Sequence, residues 1–160
     1  MLSHKPFTER IYQGSRVNFL VLNRYEVETV MPEVPYLVLS VTDPERPEAI
    51  LAASPHQRAV LRLRFHDKGK GRPPVVGKVV MTPEDARAII SFVYAHLAEV
   101  ELIVCQCEAG ISRSAALAAA LSRILQDEDH FFFEHYAPND WIYRTLLEAA
   151  DGGRLKDVDK

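Results

Sequence analysis

The chain has 160 residues, 48% hydrophobic and 26% charged, with a formal charge of -3 and an isoelectric point near 6.1. That composition suits one globular domain with a sizeable core and lacks the basic surplus of a general nucleic-acid binder. The two cysteines stand one residue apart and can build no disulfide framework, and no run of about 18 apolar residues offers a membrane span.

In chain order, the opening MLSHKPFTER lacks the apolar stretch of a signal peptide, so a reducing cytoplasm is the expected compartment. Asn18 to Leu22, Tyr36 to Val41, Ala59 to Phe65 and Leu102 to Cys105 are short β-favouring runs, with a short helix possible over 24 to 30. Arg62 and Arg64 alternate with Leu61, Leu63 and Phe65 and mark an exposed strand face. The Lys68 to Pro74 stretch is a Gly/Pro-rich basic loop; Lys68, Lys70, Arg72 and Lys78 could steer an anionic substrate or simply be solvated. From Thr82 a helix start is complete: Thr82 as N-cap, Pro83 next, then Glu84 and Asp85. Ala86, Ile89, Ile90, Val93 and Leu97 follow as one apolar stripe, the mark of a crossover helix lying on a sheet.

Ser112 to Leu125 is helical and apolar nearly all round, which predicts a central buried helix. The Phe131 to Phe133 run, His130 and His135 suggest packing rather than metal binding. Asn139 is a plausible N-cap for a last helix, with Gly152-Gly153 as its stop. The predicted fold is a single α/β domain over residues 1–160, its core at about 15–151, with a mostly parallel sheet of four to five strands flanked by helices.

CEAGISRS, residues 107 to 114, joins the last strand to the buried helix. A strand-to-helix turn binds anions, because unpaired backbone N–H groups and the positive end of the helix dipole converge there. Gly110 permits the backbone angles that turn the amides of Glu108, Ala109, Gly110, Ile111, Ser112 and Arg113 inward. Arg113 adds a planar fork matched to two phosphate oxygens. Cys107 sits where helix N-termini and cations can bring a thiol from about 8.5 to roughly 3.5–7.5. Nucleophile and oxyanion cradle therefore coincide. The alternative for a free cysteine is structural burial, which suits Cys105 better. A zinc site from the two cysteines and a histidine lacks grouped ligands.

The octapeptide resembles the signature loop of the cysteine-dependent protein tyrosine and dual-specificity phosphatases, Cys-x5-Arg-Ser/Thr, with glycine third among the intervening residues. The resemblance spans roughly residues 36 to 150 and points to a compact, bacterial-type member. It implies attack by Cys107 on phosphorus, a phosphate held by residues 108 to 113, and a metal-free, cofactor-free reaction on a phosphorylated protein or peptide. Ser114, bonded toward sulfur, would make the thiolate a better leaving group in the second step.

A departing phosphate-ester oxygen needs a proton. Within the resemblance the donor is an Asp after a strand, upstream of the crossover helix, and Asp67 occupies that slot; Asp43 and His66 are alternatives, and a turn residue is the structural one. A carboxyl that must be protonated implies a mildly acidic optimum. Glu108 beside the pocket disfavours very polyanionic substrates, which leaves phosphotyrosine or phosphoserine/threonine. One departure is Gln106, where the family usually has histidine: an amide can donate a hydrogen bond but carries no charge, so slower turnover is expected. A phospho-binding pseudophosphatase and a rhodanese-type sulfurtransferase are the other readings. Oligomeric state has no sequence signal.

Overall fold

The computed structural model describes residues 2–68 and 77–158; Lys70 and Arg72 lie outside them. Four strands, β1 (Asn18–Leu22), β2 (Tyr36–Thr42), β3 (Gln57–Arg64) and β4 (Leu102–Gln106), form one sheet in the order β1-β4-β2-β3, every pair parallel. Central β4 is buried at all five positions, with Cys105 opposite Val21 on one side and Leu39 on the other. A strand covered on both faces reads as a continuous apolar run, which is why LIVC shows no alternation.

Successive side chains take opposite faces. Leu20, Leu22, Val38, Leu102 and Val104 lie under a thin cover that includes Phe7, Ile11, Val27 and Ala49. The packed body thus begins before residue 15. Phe7 belongs to the short helix α1 (Phe7–Arg10), whose Arg10 is also buried. Val27 lies in a 3-10 turn, Glu26–Glu28, shorter than the expected helix over 24 to 30.

Phe19, Val21, Leu39, Ile103 and Cys105 face the other side, against the main helical layer. There α2 (Pro83–His96) starts with the anticipated capping box: Asp85 N–H donates to Thr82 Oγ1 at 3.1 Å and Thr82 N–H to Asp85 Oδ2 at 2.9 Å. Helix α3 (Arg113–Gln126) is buried continuously from Arg113 to Ser122. Its alanines let it lie close to both the sheet and the last helix, and it ends at Asp127 in the left-handed region, φ 56°.

Two further helical features differ from expectation. A six-residue helix, α4 (His130–His135), has no sequence signal of its own. Segments this short do not fold alone; burial of Phe132 edge-on to Phe19, worth about 2–3 kcal/mol, holds it. The last helix, α5 (Asp140–Val158), runs through Gly152-Gly153 instead of stopping there. Gly152 does not adopt the left-handed turn that terminates helices, and a helical glycine costs only about 1 kcal/mol relative to alanine.

Parallel strands bring all their carboxyl ends to one edge. The segments after Leu22, Thr42, Arg64 and Gln106 meet there, and that edge carries the candidate chemistry.

Candidate active site

Cys107 leaves the end of β4 with its N–H donating to Leu22 O at 3.3 Å and only 1% of its surface exposed. Its sulfur accepts the Gly110 N–H at 3.3 Å and lies 3.1 Å from Ser114 Oγ in the first turn of α3. Gly110 has φ 69°, a conformation L residues avoid, and the loop curls so tightly that its α-carbon abuts the Leu22 and Asn23 backbone.

Neighbouring segments draw loop carbonyls outward. Glu108 O accepts from Arg24 N–H (3.2 Å), Ile111 O from Ala137 N–H (3.2 Å), and Ser112 O from both Ala116 N–H (2.9 Å) and Asn139 N–H (3.1 Å). Three carbonyls of the loop are thus held by partners outside it, at the positive end of the α3 dipole.

Arg113 is 6% exposed, and its Nη1 donates to Asp43 Oδ1 at 2.6 Å and to Phe65 O at 2.8 Å. Both anchors use one nitrogen, so they do not consume the opposite edge of the guanidinium. Asp43, an alternative proton donor by sequence, is thus an ion-pair partner that orients Arg113. His66, the other alternative, is locked. Its Nδ1 accepts the Val79 N–H (2.9 Å), which puts the proton on Nε2 facing Glu45 (2.8 Å), and its backbone N–H donates to Val79 O (2.7 Å). That bond to His66 holds the Glu45 carboxyl below its usual range. His66, the neighbour of Asp67, is thus tied to Val79 by two bonds.

Asp67 is exposed at the mouth of the Cys loop, and its Oδ1 accepts from Ser112 Oγ at 2.7 Å and from Asn139 Nδ2 at 2.7 Å. The structure therefore brings Cys107, Arg113, Ser114 and Asp67 to one place.

Two expectations change. Glu108 does not present a free negative charge, because Arg24 Nη1 (3.2 Å) and Arg46 Nη1 (3.0 Å) both pair with its carboxylate. It gives no ground for excluding polyanionic substrates. Gln106 makes no bond to the Cys loop. Its Oε1 accepts from Ser40 Oγ at 2.5 Å, and its buried Nε2 has no partner. Strand alternation is the cause, since Cys105 and Cys107 point to the helical face and Gln106 to the other. Burial pushes the Cys105 thiol far up, with Cys107 nearby adding to the shift, so Cys105 remains a neutral core residue. Among the described residues no cluster of three His, Cys, Asp or Glu side chains could hold a metal, and no helix is long and apolar enough to cross a membrane.

No family model matches the sequence, and no curated protein does. Solved structures match along nearly the whole chain. A mouse candidate dual specificity phosphatase complexed with zinc tungstate superposes with a TM-score of 0.60 at 13% identity, covering 97% of this chain and 94% of its own. Human DUSP28 superposes with a TM-score of 0.58 at 13% identity, covering 91% of this chain and 99% of its own. The fold is that of the dual-specificity phosphatases. A human tyrosine phosphatase-like serine/threonine/tyrosine-interacting protein shares it, with a TM-score of 0.58 at 15% identity over 86% of this chain and 93% of that one. At such identities only the architecture is common property; the chemistry rests on the side chains above.

Sequence reasoning missed Asn139, Arg24 and Arg46 as parts of this cluster, and named Ser112 for its backbone amide without its side-chain bond to Asp67. Asn139 was visible as a helix cap, and its Oδ1 does accept Ile142 N–H at 2.9 Å. Nothing in the sequence indicates that its other amide atom meets Asp67, 72 residues away.

Proposed function

We propose that the protein is a cysteine-dependent phosphatase acting on phosphorylated proteins or peptides, phosphotyrosine first and phosphoserine or phosphothreonine second. The observation that carries this is the convergence of a thiol that accepts a loop amide, an anchored guanidinium and a carboxyl on one sheet edge. The Cys107 thiolate attacks phosphorus while loop amides and Arg113 hold the equatorial oxygens. As the P–O bond to the leaving group breaks, Asp67 transfers its proton to the departing oxygen. A water molecule then attacks the cysteinyl phosphate, loses its proton to the Asp67 carboxylate, and frees phosphate and thiolate. Ser114 Oγ, 3.1 Å from the sulfur, stabilises that thiolate as it leaves. Cys107 is only 1% exposed, which favours a substrate with the longer reach of a phenyl phosphate over the short arm of phosphoserine.

Turnover of para-nitrophenyl phosphate tests the reading. Wild-type protein is expected to hydrolyse it, Cys107→Ser to abolish the activity, and Asp67→Ala to lower it by about 100-fold or more. An inactive wild-type protein that still binds phosphopeptides would instead mark a phospho-binding module. Transfer of sulfur from thiosulfate would mark a sulfurtransferase.

A further inference from the structure

An exposed aspartate at a loop mouth has no inherent reason to hold one orientation, yet Asp67 receives two donors on the same oxygen. Asn139 is the better fixed of the two partners. Its backbone N–H is bound to Ser112 O at 3.1 Å, its side-chain Oδ1 caps α5 through Ile142 N–H at 2.9 Å, and its carbonyl accepts Tyr143 N–H at 3.1 Å. Capping assigns the amide unambiguously: the oxygen must face Ile142, so the NH2 group must face Asp67.

We propose that Asn139 is a positioning residue that aims the proton of Asp67. A neutral carboxyl has one carbonyl oxygen, which accepts, and one hydroxyl, which donates. With Oδ1 committed to Ser112 and Asn139, the acidic proton resides on Oδ2, and the rotation that would exchange the two oxygens is blocked. The same bond sets the distance between the acid and the Cys loop, because Asn139 is tied through its backbone to Ser112 of that loop. This inference rests on the phosphatase reading, in which Asp67 protonates the leaving oxygen.

Asn139→Ser isolates the side-chain contact. Serine caps a helix as well as asparagine does and keeps the backbone N–H that donates to Ser112 O, but the shorter side chain cannot reach Asp67. The assay is kcat/KM for phenyl phosphate, whose phenolate needs a proton to depart, against dinitrophenyl phosphate, whose leaving group departs as an anion. The variant is expected to lose about 10- to 100-fold on phenyl phosphate and to stay within about twofold of wild type on the dinitrophenyl ester. In the Asp67→Ala background it is expected to cause no further loss on phenyl phosphate, since the group it aims is gone. Equal losses on both esters, no loss on either, or a loss additive with Asp67→Ala would overturn the inference while leaving the phosphatase reading intact. A wild-type protein that cleaves neither ester would overturn both.

Discussion

Alanine at position 110 strains the Cys loop in two ways. Gly110 has φ 69°, where an L residue pays about 1–2 kcal/mol. Its new Cβ would also lie 2.7 Å from Asn23 N, 2.8 Å from Leu22 C and 2.9 Å from Asn23 Cα, all backbone atoms at the end of β1. These cannot swing aside as a side chain would, because Leu22 O is bonded to Cys107 N–H and Leu22 is itself buried. Overpacking of this kind costs about 1–3 kcal/mol, giving about 2–5 kcal/mol in all. For a domain of this size that corresponds to a fall in Tm of roughly 5–15 °C by calorimetry or circular dichroism. Relief requires the loop to move away from β1, which carries the Gly110 N–H off the Cys107 sulfur. Loss of one such donor lowers kcat by about tenfold or more. Gly152→Ala is the contrast, since nothing lies within 4 Å of its Cβ position and its helix should gain about 0.5–1 kcal/mol. A Gly110→Ala protein with unchanged Tm and unchanged kcat would refute this account of the loop.

Two further outcomes follow from buried polar groups. Ser40→Ala leaves both ends of the buried Gln106 amide without a partner and should cost about 1–3 kcal/mol in urea denaturation; adding Gln106→Leu should recover most of it, and a double variant weaker than Ser40→Ala alone would contradict the pairing. Burial works against the Glu26 carboxylate, but Arg10 and the Asn23 N–H outweigh it and lower its pKa. Its contribution to stability is therefore full above the carboxylate's unfolded range, near about 4.5, and is lost as pH falls through the lower folded value. Glu26→Gln should cost about 3 kcal/mol at neutral pH by leaving the buried Arg10 uncompensated, and should flatten the acid limb of the Tm profile; an unchanged limb would show that other carboxylates control it.

The octapeptide, the crossover helix with its capping box and the four strands were legible in the sequence because each is written locally. Apolar runs, a Thr-Pro-Glu-Asp start and a glycine between a strand and a helix act over a few residues. Asp67 could be nominated because parallel topology sends every strand's carboxyl end to one edge, so an acid after a strand is a candidate by position. Choosing it over Asp43 and His66 needed the fold. Asp43 is spent on Arg113, and His66 clamps to Val79, both through contacts between distant segments.

What the sequence determined by itself is therefore the fold class and the place of the thiol: a strand-to-helix turn on an α/β sheet, of the kind that binds anions. Only the tertiary structure decided which charges around it are paired and which side chains hold Asp67. Glu108 looked like an exposed negative charge until Arg24 and Arg46 closed on it, and Gln106, read as a departure beside the catalytic cysteine, is turned by strand alternation toward Ser40. Asn139 read as a helix cap because that bond reaches only three residues. Its second bond, to Asp67, exists because packing α5 against α2 and α3 delivers the start of α5 to the same edge as the strands, a placement set by burial and by no local signal.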